Sequence, residues 1–111
     1  MKQILATITV TVTLVASSAS AFEPADLKKL MDTGDCMECD LKRADLEEAN
    51  LEGANLEGAN LRGAVLWGAD LRDANLSGAN MRDANLNRAI MNDAILCNTI
   101  MPDGSVIYSG C

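Results

Sequence analysis

Residues 49–58 read ANLEGANLEG, one five-residue word written twice without change. A period of five suits neither regular element. A helix advances about 500° in five residues, leaving successive leucines about 140° apart around its axis, and a strand would send them to opposite faces. Working outward, the word continues in both directions with no insertion, giving thirteen words over residues 39–103. Their centres run from Leu41 through Leu46, Leu51 and Leu56 to Met91, Leu96 and Met101. Two places before the centre stands alanine in eleven of the words, Ala44 to Ala94, with Cys39 opening the series and Thr99 closing it.

If each word makes a short extended side and then a turn, the centre and the residue two before it point the same way, inward. The other three residues face solvent or turn the corner. Gly53, Gly58, Gly63, Gly68 and Gly78 close their words, and glycine tolerates the positive φ of a tight corner. A strict short repeat of this kind predicts a solenoid.

The words ADLEE, ANLEG, ANLRG, ADLRD, ANLSG and ANLNR follow the pattern A(D/N)LXX and so resemble the pentapeptide repeat proteins. The resemblance implies an all-β fold, a right-handed quadrilateral β-helix with four words per coil and about three coils, stacking positions 20 residues apart. Such a rod is only about 16 Å long. Leu41, Leu61, Met81 and Met101 then form one inward column. Val65, Ile90, Ile95 and Ile100 depart from the pattern by putting an apolar residue where Asn or Asp is usual. Three of them crowd into the last words, which predicts that something covers that end.

The ends read differently. Lys2, the apolar stretch Ile4–Ala16 and the small-residue site Ala19-Ser20-Ala21 predict a signal peptide over residues 1–21, hence export to a periplasmic or secreted location in a bacterial envelope, with no stable membrane anchor after cleavage. Residues 22–38 read as a helical cap, with Pro24 in the first turn, Leu27, Leu30 and Met31 as an apolar stripe, and Gly34 as its end. Residues 104–111 read as a capping tail after the turn signal Pro102-Asp103-Gly104, expected to shield Ile95 and Ile100.

Composition narrows the function. The chain holds 16 acidic and 9 basic residues and no histidine. An acidic surface repels nucleic acid, and without histidine there is no Ser-His-Asp triad or Cys-His pair. No enzyme activity, cofactor or metal is expected. Cys36, Cys39, Cys97 and Cys111 make an even set, which in an exported chain predicts disulfides. On the coil implied by the resemblance, the two ends lie about 15 Å apart, too far for a bridge, so the pairs are Cys36 with Cys39 and Cys97 with Cys111. The rival readings of Cys36-Met37-Glu38-Cys39 are a redox C-x-x-C pair and, with the other two cysteines, a zinc site.

Stacking by 20 also gathers Lys42, Arg62 and Arg82 in a basic column, with Asp40 and Asp83 available as counter-charges. Trp67, the single tryptophan, points outward beside Val65, and Trp67, Val65, Lys42, Arg62 and Arg82 are the candidate partner contacts. The sequence therefore predicts a non-enzymatic exported module, structural or protein-binding, monomeric in preference to an end-to-end dimer. An envelope thiol-disulfide protein using Cys36 and Cys39 is the alternative. Mimicry of DNA toward a topoisomerase, which some longer acidic members of the family resemble, ranks below it, since export removes that target and the rod is shorter than half a DNA turn of about 34 Å.

Overall fold

The computed structural model describes residues 21–111. Residues 1–20 of the expected signal segment lie outside the described residues. The chain forms an N-terminal helix, α1 (Pro24–Thr33), then a coiled ladder of short parallel bridges, then a hairpin of β1 (Leu96–Ile100) and β2 (Val106–Ser109). Every bridge joins residues 20 apart, from Asp35 with Asn55 to Asn80 with Ile100. Four words therefore make one coil.

The word can be accounted for donor by donor. In residues 59–63 the Ala59 N–H donates to Leu56 O (3.0 Å), closing the preceding turn. Asn60 N–H donates to Cys39 O in the previous coil (2.8 Å), while Leu61 N–H and Gly63 N–H donate to Asn80 O (2.8 Å) and Arg82 O (2.9 Å) in the next. The one donor left, Arg62 N–H, goes to the Asn60 side chain, Oδ1 at 3.1 Å. This is the reason for Asn or Asp before the centre. Its side chain satisfies an amide that no neighbouring coil can reach. The same bond recurs from Asp40, Asp45, Asn50, Asn55, Asp70, Asn75, Asn80 and Asn85. Where Ile100 breaks the pattern, Pro102 follows two residues later and has no N–H to satisfy.

The fifth residue of every word but the last adopts positive φ, whether glycine (Gly63, +69°) or not (Arg43, +59°; Asp83, +63°). Glycine is thus favoured there but not required by the turn alone. At Gly63 the absent side chain also makes room: a Cβ would come 3.2 Å from the Arg43 Cγ in the coil below.

Centres and alanines fill the interior. Leu41, Leu56, Leu61, Leu66, Leu71, Leu76 and Met81 are fully buried, with Ala59, Ala64, Ala69 and Ala74 between them. Burial of each leucine contributes roughly 1.5–3 kcal/mol before chain entropy is subtracted. At the closing end Thr99 replaces alanine, and its buried hydroxyl donates to Leu76 O at 2.7 Å, so the added polar atom is satisfied.

Helix α1 seals the first coil. Leu30 is buried, and Phe22 and Leu27 pack partly against the core. Glu23 N–H donates to Asp40 O (3.0 Å) and the Asp26 carboxylate accepts from Asp40 N–H (2.8 Å), occupying backbone groups that a further coil would otherwise take. Gly34 ends the helix at φ +73° with its N–H on Leu30 O. Two details differ from the sequence expectation. Met31 is 55% exposed; Phe22, which precedes the helix, packs against the core in its place. The ladder also begins one word early, at Asp35, because Gly34-Asp35-Cys36-Met37-Glu38 takes the conformation of a word, with buried Cys36 at the centre and Glu38 at φ +59°.

The far end is less closed. Leu86, Met91, Leu96 and Met101, the centres of the last coil, are only partly buried. β2 pairs antiparallel with β1, Val106 with Ile100 and Ser109 with Leu96. It extends the sheet edgewise, and Ile90 and Ile95 stay exposed, Ile95 at 37%. The expected shielding is incomplete: the tail reaches Ile95 at Gly110, where a Cβ would come 3.4 Å from the Ile95 Cα, and Ile100 is half-buried. Replacing Leu61 by Asp buries an unpaired charge at the middle of the tower; thermal unfolding followed by circular dichroism is expected to lose its cooperative transition, whereas a transition near the parent's would place Leu61 on the outside.

Candidate functional site

The two variable residues of each word occupy turns, so they stack along four vertical corners of the tower. One corner carries Lys42-Arg43, Arg62-Gly63 and Arg82-Asp83 in successive coils. There a half-open cleft of about 390 Å³ is lined by Lys42, Arg43, Arg62, Gly63 and Asp83. Lys42 meets Asp40 at 3.7 Å and Arg62 meets Asp83 at 3.7 Å, long contacts between partly exposed groups that hold their cations loosely. Arg82 is not part of the cleft. Its guanidinium lies under the tail turn, where a Cβ on Gly104 would come 2.6 Å from Nη1.

The adjacent corner holds Glu47-Glu48, Trp67-Gly68 and Asn87-Arg88. Trp67 is half-buried, with the Arg88 guanidinium carbon 5.6 Å from the ring centroid, an arrangement of cation over aromatic face. Val65 is half-buried beside it. Neither lines the basic cleft, so the five candidate contacts fall in three places. On the third corner, Arg72 is consumed by tight pairing, 2.6 Å to Asp70 with Glu52 at 3.9 Å. The side-chain and backbone hydrogen bonds from Arg72 hold the Asp70 carboxyl down to about 2.

The cysteines form two bridges of unlike setting. Cys36 and Cys39 are joined with Cα atoms 5.3 Å apart, and Cys97 and Cys111 with theirs 4.8 Å apart. Cys36 stands at a word centre and Cys39 at the next alanine position, the two inward residues that flank every turn, so this bridge closes covalently the corner that elsewhere is held by leucine against alanine. Both are buried, and the Cys36 Sγ lies 3.2 Å from the Asp26 carbonyl of α1. An attacking thiolate has no path to either sulfur while the helix is in place. Cys111 is exposed and Cys97 half-buried, and their bridge pins the tail. Among the described residues no group of three His, Cys, Asp or Glu side chains is placed to hold a metal, and no helix is long and apolar enough to cross a membrane.

The sequence reading singled out Ile90 and Ile95 but not the exposure of Val106 and Tyr108 near them. Ile90, Ile95, Val106 and Tyr108 are all exposed at the last coil and its hairpin, Tyr108 at 67%. The apolar residues at positions 90 and 95 were the visible sign of this end, which the hairpin and tail cover only in part.

Residues 39–78 and 68–101 match the family model for pentapeptide repeats, in eight copies. The chain belongs to the pentapeptide repeat family. Among solved members, HetL of the cyanobacterium Nostoc sp. strain PCC 7120, involved in regulation of heterocyst differentiation, is 37% identical over 66% of this chain and 43% of its own, with a TM-score of 0.44. A pentapeptide repeat protein of the Arabidopsis thaliana thylakoid lumen is 33% identical over 68% of this chain and 55% of its own, also at 0.44. The chain thus spans about half the length of these two solved relatives. No curated protein matches it.

Two outcomes follow from these settings. Under a mild dithiol reductant, alkylation with peptide mapping is expected to label Cys97 and Cys111 first, and Cys36 and Cys39 only under unfolding conditions; early labelling of the Cys36 pair would show that α1 does not protect it. Trp67→Ala is expected to cost only about 1 kcal/mol, the worth of a partly exposed cation–aromatic contact, and Arg88→Ala to shift the Trp67 fluorescence emission with little change in melting temperature.

Proposed function

We propose that this pentapeptide repeat tower is a non-enzymatic, exported structural module that binds another protein through its C-terminal end. The observation that carries the reading is the last coil, where Ile90, Ile95, Val106 and Tyr108 are exposed and the centres Leu86, Met91, Leu96 and Met101 are only half-buried. Contiguous exposed apolar surface rimmed by polar residues is characteristic of interaction sites. Two disulfides support an oxidising, extracytoplasmic setting, in keeping with the signal segment read from residues 1–21. The coil is taken as right-handed, the hand that parallel crossovers adopt almost without exception. The basic corner and Trp67 extend the contact surface down the side of the tower.

A different protein fits this end better than a second copy does. Each chain carries a formal charge of −7, and two such towers repel as they approach; the monomer is therefore preferred. The burial of Cys36 and Cys39 weighs against thiol-disulfide catalysis, and nothing supports mimicry of DNA.

Photo-crosslinking tests the reading. A photoreactive residue at Ile95 is expected to capture a heterologous protein in the envelope, and one at Glu52, on the first coil, to capture none. Capture of the chain by itself, or equal capture from both positions, would overturn it.

A further inference from the structure

At the basic corner of this acidic molecule cations gather around a hollow. Lys42, Arg43 and Arg62 border the cleft, while Asp83 and Asp40 stand beside them, leaving three positive charges against two negative ones. Gly63 lines the cleft without a side chain, where the same position elsewhere on this corner carries Arg43 and Asp83, and a Cβ there would come 3.2 Å from the Arg43 Cγ. Both ion pairs are long, at 3.7 Å, against 2.6 Å for the committed pair of Arg72 with Asp70. Among the described residues, Arg43 has no carboxylate within 4.0 Å.

We infer that this cleft seats a single carboxylate, carried by an acidic side chain of a partner protein. The local surplus of one positive charge is neutralised by a monoanion. A dianion would meet Asp83 and Asp40, and a polyanion wider than the corner would meet Glu47 and Glu48 on the next one. Guanidinium groups present paired N–H donors that match a carboxylate, and Asp83, held at 3.7 Å from Arg62, occupies loosely the place an incoming carboxylate would take. The inference rests on the proposal that the tower binds a protein, and adds what that protein must carry.

The test is a titration of the oxidised chain at low ionic strength, followed by amide NMR shifts of Arg62 and Gly63. The probes are the capped peptide acetyl-Gly-Gly-Glu-Gly-Gly-amide, its glutamine counterpart, and acetate. Saturable shifts are expected with the glutamate peptide, none with the glutamine peptide, and weaker binding of acetate. Arg62→Ala is expected to weaken the glutamate peptide about tenfold and Asp83→Asn to tighten it. Gly63→Asn, which keeps every charge and suits the left-handed backbone, is expected to block it. Equal binding of the two peptides, or no effect of Arg62→Ala, would overturn the inference, and acetate binding as tightly as the peptide would assign the cleft to free anions instead of a side chain. Because these probes do not involve the C-terminal end, failure of Ile95 to capture a protein leaves this result separately readable.

Discussion

Everything in this tower depends on the backbone ladder between coils. In an inner word such as residues 59–63 three of the five amides donate across coils, one closes a turn, and one is left over. Where Asn or Asp precedes the centre its side chain takes that last donor, so the amide that the ladder leaves over is satisfied within its own word. The sequence pattern A(D/N)LXX is therefore a hydrogen-bond solution as much as a packing one. Alanine and leucine fill the axis, and the polar residue between them makes the turn.

A ladder of this sort has two ends, and the chain treats them differently. At the first coil, α1 supplies the Glu23 N–H and the Asp26 carboxylate to Asp40, while a buried disulfide locks the adjoining corner. At the last coil the hairpin adds a strand alongside but leaves the centres half open. This asymmetry leaves the first end closed and the last end open. The variable turn residues, free of structural duty beyond a positive φ, are where charge and aromatic side chains can be placed without disturbing the ladder.

Much of this was legible in the sequence. Spacing alone separated inward from outward positions, and Leu41 to Met81 fell inside as the period required. Pro24 and Gly34 marked the helix. Other features were hidden because they break the word while keeping its geometry. Gly34 and Cys36 stand for alanine and leucine in a first word that a pattern search passes over, and Met31 has helical spacing but exposes its side chain because Phe22 packs against the core. The cleft over Gly63 was unreadable for a different reason: it lies where a side chain is missing between residues 20 positions apart. The grouping of Lys42 with Arg62 was foreseen, but the separation of Arg82 came from the tail turn at Gly104, which no period describes.

The most direct test of the account is detection of scalar couplings through the inter-coil hydrogen bonds by NMR. The account predicts coupling from the Leu61 amide nitrogen to the Asn80 carbonyl and from Asn60 to the Cys39 carbonyl, 19 and 21 residues apart. Couplings confined to partners three or four residues away would contradict it, because the chain would then be folding on itself locally and not coiling four words to a turn.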